Sequence, residues 1–351
     1  MEIGQVFLSI IIILAGARAL GEVFRRMKLP PLVGELLAGM ILGPSLFGII
    51  LPNESLEVLA SVAVFFLMLL AGLEMDLREI KKAGRSAVII SLMAFTIPFL
   101  TGTQVASLFG LPTVQSLFMG LLLSITALPV SVIVLMEFGI LKSRIGNTMI
   151  TAAVFNDILA LVILGIIVEL SANGDSHLDV TMIGVSVIKV AALMAVFFAS
   201  LLFGKKLLPK KESSRAYGIV SGVTFGFFAP IFFGFIGIKF NAQSIIELAP
   251  LFVGLLAISI ATKIGGGFIG AKIVKFSNND ALAIGTLMNG GGMIELAIAS
   301  IGLTVGILDL SLFSIAVAIG FATTILSPLL ARPFVNKSKA IDSSVTEKII
   351  K

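Results

Sequence analysis

Asp157 sits alone in an apolar run, TMITAAVFNDILALVILGII, with no other charge between Thr148 and Val168. A helix through this stretch holds one carboxylate near the centre of a bilayer, where an ionised acid costs about 2.5–3.5 kcal/mol on insertion scales. Such a group lines a watery path or has a buried partner, and it points to ion or proton handling. Lys263, in LLAISIATKIGGGFIGAK, lies about as deep and is the natural counter-charge. A pair of this kind holds both members nearer their charged forms. An incoming Na⁺ or H⁺ would then compete with the ammonium for the carboxylate, the plainer alternative being a fixed salt bridge. A hard monovalent cation takes oxygen ligands. The expected set is the Asp157 carboxylate, the Asn156 carbonyl, the hydroxyls of Ser124 and Thr126, and main-chain carbonyls at helix breaks. Glu295, with Asn289 six residues before it, is an auxiliary candidate: a second ligand or a partner for a helix end.

These residues need apolar elements to carry them. The chain has 351 residues, 58% hydrophobic and 13% charged, with mean hydropathy +1.12, which excludes an ordinary soluble domain. Eleven apolar segments are expected, at 5–24, 31–51, 57–75, 86–108, 114–138, 146–170, 180–207, 217–237, 246–274, 280–303 and 308–333. Most are about 20 residues, the length that spans a hydrocarbon core of about 30 Å. The fold class is therefore an all-α polytopic membrane protein of about 11 transmembrane helices. Of the 25 Lys and Arg, 21 fall in alternate loops and the C-terminal tail. By the positive-inside rule the N-terminus is outside and the C-terminus cytoplasmic.

Two segments look interrupted at mid-depth. Pro129 stands in LLLSITALPVSVIVL, where it disfavours helix at Leu128. Gly290, Gly291 and Gly292 are consecutive in GTLMNGGGMIEL, and three glycines cost about 3 kcal/mol of helix propensity. A pair of interrupted spans, one in each half, is the pattern of a transporter with inverted repeats and a midplane site.

Other chemistry finds little support. There is no cysteine, and the single His177 lies in the polar stretch SANGDSHLD. The net charge of +5 comes from segment ends, which argues against nucleic acid. Gly265 to Gly270 fits G-x-G-x-x-G but follows a membrane segment rather than a strand. Close helix packing through Gly266 and Gly270 is the better reading. Asn53-Glu54-Ser55 fits a glycosylation sequon, a match common by chance. Arg18, Glu35 and Lys189 are expected to snorkel or to pair structurally. No cofactor, nucleotide-binding domain or enzymatic nucleophile–base set is expected.

The stretches LPPLVGELLAGMILGP (29–44), FLMLLAGLEMDL (66–77), FNDILAL (155–161), FFAPIFFGFIGIKF (227–240), the Lys263 region and GTLMNGGGMIELAIA (285–299) together resemble the monovalent cation:proton antiporters. The similarity is to the second subgroup, of bacterial and archaeal Na⁺/H⁺ antiporters and K⁺ efflux relatives. The resemblance implies an inverted-repeat fold with two crossed broken helices, a homodimer, and elevator-like alternating access. It implies a transmembrane domain over 1–335, with core 86–170 and 246–333, scaffold and dimer side 5–75 and 217–237, and linker helix 180–207. Residues 336–351 would be a cytoplasmic tail. Carried over by position, Asp157 binds cation and proton, Asn156 is its neighbour, Thr126 and Pro129 mark the first crossing, and Lys263 pairs with the acid. Two departures stand out. Asn156-Asp157 is typical of electroneutral members, which have Arg rather than Lys opposite. Two membrane segments usual before FFAPIFF are also absent, on the order of 60 residues at about 20 per span plus loops. A cation antiporter leads; a shortened inactive subunit or regulator, and a passive cation channel, are the alternatives.

Overall fold

In this computed structural model the chain is helical, with no strand among the described residues. Those residues are 3–27, 29–74, 84–127, 143–172 and 210–350, with 131, 132, 135 and 140. The helices are α1 Ile3–Arg26, α2 Pro31–Leu42, α3 Glu54–Glu74, α4 Arg85–Leu108, α5 Thr113–Ser124, α6 Arg144–Ala172, α7 Lys210–Val223, α8 Ala229–Lys239, α9 Ala242–Glu247, α10 Ala249–Ile273, α11 Asn278–Met288, α12 Met293–Thr304 and α13 Leu310–Ile350. A single π-helical turn, Thr224–Phe228, joins α7 to α8. Among the described residues, seven stretches are long and apolar enough to cross a membrane: Gly4–Arg26, Arg85–Leu108, Arg144–Ala172, Tyr217–Lys239, Ala249–Ile273, Asn278–Thr304 and Leu310–Val335. The expected segment 180–207, with Lys189, lies outside the described residues, as do Pro129 and His177.

Two expected spans prove shorter as helices. The segment expected at 31–51 stays helical only to Leu42, because Gly43 turns extended (φ −82°, ψ −177°) ahead of Pro44. The segment expected at 114–138 leaves the helix after Ser124, with Ile125 extended (φ −74°, ψ 136°). Asn53, read as a chance sequon, accepts the Leu56 N–H at 3.0 Å and caps α3.

The chain divides into two compact units. The first comprises 1–76, 161–246 and 300–314. Lipid tails are as apolar as leucine, so helices in a membrane associate by close packing and by satisfied polar groups. Here glycines supply the packing. Gly34 lies on the Leu20 carbonyl, Gly39 on Gly234, and Gly237 on the Leu36 carbonyl, each leaving no room for a Cβ. Pro230, early in α8, has no N–H to give the Gly226 carbonyl one turn back. The chain widens into the π turn there, and Arg18 Nη2 donates to both Phe225 O and Gly226 O at 2.6 Å. The basic residue in the first apolar helix therefore pairs with main chain. Glu35, buried on α2, lines the same cavity as Arg18. Lys239 Nζ meets Glu57 Oε1 at 2.5 Å and lies 5.0 Å from the Phe235 ring centre.

The second unit comprises 77–160, 247–299 and 315–351. Its core is rich in small side chains: Ala87 and Ala94 of α4, Ala152 of α6, Ala271 of α10, Ala281 and Ala283 of α11, and Ala331 of α13 are all buried. A Cβ on Gly266 would come 2.7 Å from Met93 O, and one on Gly270 would come 2.7 Å from Ile90 Cα. Both glycines thus bring α10 against the α4 backbone, the packing role read from their spacing.

Replacing Arg18 by Leu removes a charge-assisted cap from two carbonyls, and should lower stability by about 1.5–3 kcal/mol. Thermal unfolding in detergent measures this. Adding Pro230→Ala, which restores an N–H for Gly226 O, should recover part of the loss.

Candidate functional site

The second unit contains Ser124, Thr126, Asn156, Asp157, Lys263, Asn289 and Glu295 together. It is built around two interruptions. The first follows α5, where Ile125, Thr126 and Ala127 are not helical; the second separates α11 from α12 at Asn289 to Gly292. Each leaves main-chain groups that helix geometry no longer pairs. No water from a bilayer core can serve them.

The two breaks serve each other. Ala127 N–H donates to Gly290 O at 2.8 Å, main chain to main chain. The Thr126 hydroxyl donates to Met288 O at 2.9 Å, and the Ser131 hydroxyl reaches Leu287 O at 3.0 Å. From α13, Ser327 donates to Thr286 O at 2.9 Å, and Thr324 lies 2.8 Å from Gly291 O. The end of α5 is closed in the same manner. The Ser124 hydroxyl donates to Gly120 O at 2.7 Å. Asn156, fully buried on α6, accepts the Thr126 N–H through Oδ1 at 3.0 Å. Its Nδ2 donates to Ser124 O at 3.1 Å. The orientation of this amide follows from its partners, a donor on one side and an acceptor on the other.

The sequence placed Ser124, Thr126 and Asn156 as oxygen ligands. In the structure all three fasten the breaks: the hydroxyl protons of Ser124 and Thr126 are committed to carbonyls, and the Asn156 amide is bonded at both ends. Their remaining oxygen lone pairs, and those of the break carbonyls, are what a cation could use. Asp157, next along α6, is half-buried, whereas Asn156 is fully buried. It thus presents a carboxylate beside the residue that clips the first break.

Lys263 of α10 is fully buried. Glu295, also buried, is the third residue of α12, just beyond the second break. The sequence paired Lys263 with Asp157; Glu295 is a further buried acid in the same unit. Acids in the first turn of a helix interact favourably with its dipole. The side-chain amide of Asn289, buried at the end of α11, makes no hydrogen bond among the described residues. Thr324 and Ser327 join the site as residues that the sequence did not single out.

A lipid-embedded helical unit with crossed interruptions, a half-buried carboxylate beside them and a buried lysine is the architecture of an ion-transporting multi-pass membrane protein. The chain belongs to the sodium/hydrogen exchanger family, whose transmembrane sequence model matches residues 9–193 and 180–337. It is 28% identical over 383 positions to the Na(+)/H(+)-K(+) antiporter GerN of Bacillus cereus, covering 97% of this chain and 99% of that protein. It is 26% identical to a Na(+)/H(+) antiporter of Enterococcus hirae, covering 94% and 98% respectively. Among solved structures, the sodium proton antiporter MjNhaP1 of Methanocaldococcus jannaschii shares the fold, with TM-score 0.69 and 17% identity over 96% of this chain and 99% of that one. The Bacillus cereus alignment has more positions than this chain has residues, so that relative carries segments absent here. The two family matches overlap at 180–193, outside the described residues.

Asn156→Ala leaves two buried main-chain groups unpaired and should cost about 2–4 kcal/mol, with faster amide exchange at Thr126. Asn156→Asp keeps an acceptor for Thr126 but sets oxygen against oxygen at Ser124. Its exchange rate should rise less at Thr126 than in the alanine variant.

Proposed function

We propose that the protein is a secondary antiporter exchanging a monovalent cation, Na⁺ before K⁺ or Li⁺, for protons. The observation that carries this reading is the half-buried Asp157 carboxylate next to Asn156, which clips the first helix break. Family membership supports it, and so do relatives whose names describe Na⁺/H⁺ and K⁺ exchange. Asp157 binds cation and proton in turn. A proton arriving from one side neutralises the carboxylate and releases the cation, so both ions share one site and alternate. Lone pairs of Asn156, Thr126 and Ser124 and the break carbonyls complete the cation's shell, with no cofactor required.

The second unit acts as the moving core and the first as the scaffold, in alternating access. The protein works in the cell membrane as a homodimer, with its N-terminus outside and its C-terminus in the cytoplasm. The buried ammonium of Lys263 opposes a passive cation pore by repelling the permeant ion. One observation favours a second reading: segments of the relatives are absent from this chain. A shortened scaffold fits a transport-inactive subunit or regulator.

Protein purified into liposomes with an internal pH dye, then challenged with Na⁺, Li⁺ and K⁺, tests the proposal. Cation-dependent proton movement is expected, lost in Asp157→Ala. Exchange retained in that variant would overturn the assignment to Asp157, no exchange in the wild type would favour the inactive reading, and an uncoupled leak would favour a channel. Because protons and cation compete, the apparent KM for Na⁺ should rise as pH falls, approaching tenfold per pH unit once Asp157 is mostly protonated.

A further inference from the structure

The second break concentrates polar atoms that have no hydrogen bond of normal geometry among the described residues. They are the Lys263 ammonium, both carboxylate oxygens of Glu295, and both ends of the Asn289 amide. Lys263 and Asn289 are 0% exposed and Glu295 is 1% exposed. Buried charges without partners are strongly unfavourable, so the ammonium needs a carboxylate wherever it rests.

The chain has made a slot for one. A Cβ on Gly291 would collide with Glu295 Oε2 and stand 2.7 Å from Thr323 Oγ1. A Cβ on Gly320 would stand 3.2 Å from Glu295 Oε1. Two glycines, from the break and from α13, therefore make room for the Glu295 carboxylate. α10 and α11 form a short-linked antiparallel hairpin with Gly285 on the Ile264 carbonyl and Gly267 on Gly285, which brings Lys263 level with Asn289 at the same break. Helix capping accounts for part of this placement, since Glu295 is the third residue of α12 and the Gly292 N–H lies at its start. Capping gives no reason for a buried lysine of another helix to stand at the same break.

We propose that Glu295 is the resting partner of Lys263 while Asp157 carries cargo. This rests on the exchange reading above, and assigns Glu295 a role as a positioning residue. A lysine that pairs only with Asp157 must become an unpaired buried cation each time Na⁺ or H⁺ displaces it. With Glu295 available, the ammonium moves from one acid to the other and is never left alone. The carboxylate at 157 is thereby freed for the transported ion.

The test is a double-mutant cycle on Na⁺ transport by the full chain in liposomes at pH 8. Glu295→Gln should raise the apparent KM for Na⁺ at least tenfold with kcat within about twofold, because Lys263 then falls back onto Asp157 and competes. In a Lys263→Gln background the same change should leave KM within about twofold. Glu295→Asp, which keeps the charge, should show a smaller rise that also disappears without Lys263, and it serves if the glutamine variant does not fold. An equal effect of Glu295 changes with and without Lys263, or no effect in either background, overturns the proposal. Loss of exchange in Asp157→Ala together with that result would sink only the role of Glu295. Exchange retained in Asp157→Ala would sink the reading beneath it.

Discussion

Every main-chain polar group released by a helix break inside a membrane must find a partner within the protein, and the second unit is arranged around that demand. Breaking one helix exposes carbonyls at the end of its first half; breaking a second supplies N–H groups and hydroxyls that reach them. The Ala127–Gly290 bond joins the two interruptions directly. Thr126, Ser131, Thr324 and Ser327 close what remains. Neither interruption is tolerable without these partners, so the crossing folds as one piece. Asn156 extends this dependence to α6 by holding both sides of the first break. The position of Asp157 follows, since it is the next residue on the same helix.

The two units solve the same problem at different scales. In the first, a proline early in α8 deprives Gly226 O of its usual donor, and one arginine from α1 supplies the repair. There the carbonyls are fully occupied by a permanent charge, and the surrounding glycines lock helix against helix. In the second, repair comes from neutral hydroxyls and one amide, and these leave oxygen lone pairs uncommitted. A cationic repair at the crossing would repel a transported cation. Neutral donors close the same gaps without doing so.

Much of this was legible beforehand, and for definite reasons. Asp157 announces itself because a lone acid in an apolar run is costly, and Gly290 to Gly292 because glycine spoils helix. Gly266 and Gly270, four apart, indicated the close approach of α10 that the structure contains. What escaped was mainly long-range. The first break begins at Ile125, ahead of Pro129, and no local rule places it there. Thr324 and Ser327 look like ordinary small polar residues until the carbonyls they serve are in view. Glu295 lies 32 positions beyond Lys263 on a different helix, so no periodicity links them. The role of Arg18 could have been sought once Pro230 was noticed, because a proline names the carbonyl it abandons. Which helix would answer that carbonyl is set by tertiary packing alone.

The hydroxyl fastening of the crossing also bears on how such a protein can drift over generations. A carbonyl asks only for a proton at the right distance, and serine and threonine offer the same one. Positions 126, 131, 324 and 327 can exchange these two residues where the methyl group fits, whereas position 156 needs an amide to donate and accept at once. Lineages sharing this architecture can therefore diverge widely in spelling around the crossing. What the crossing asks for in this chain is a pattern of donors, with position 156 placed to donate and accept at once.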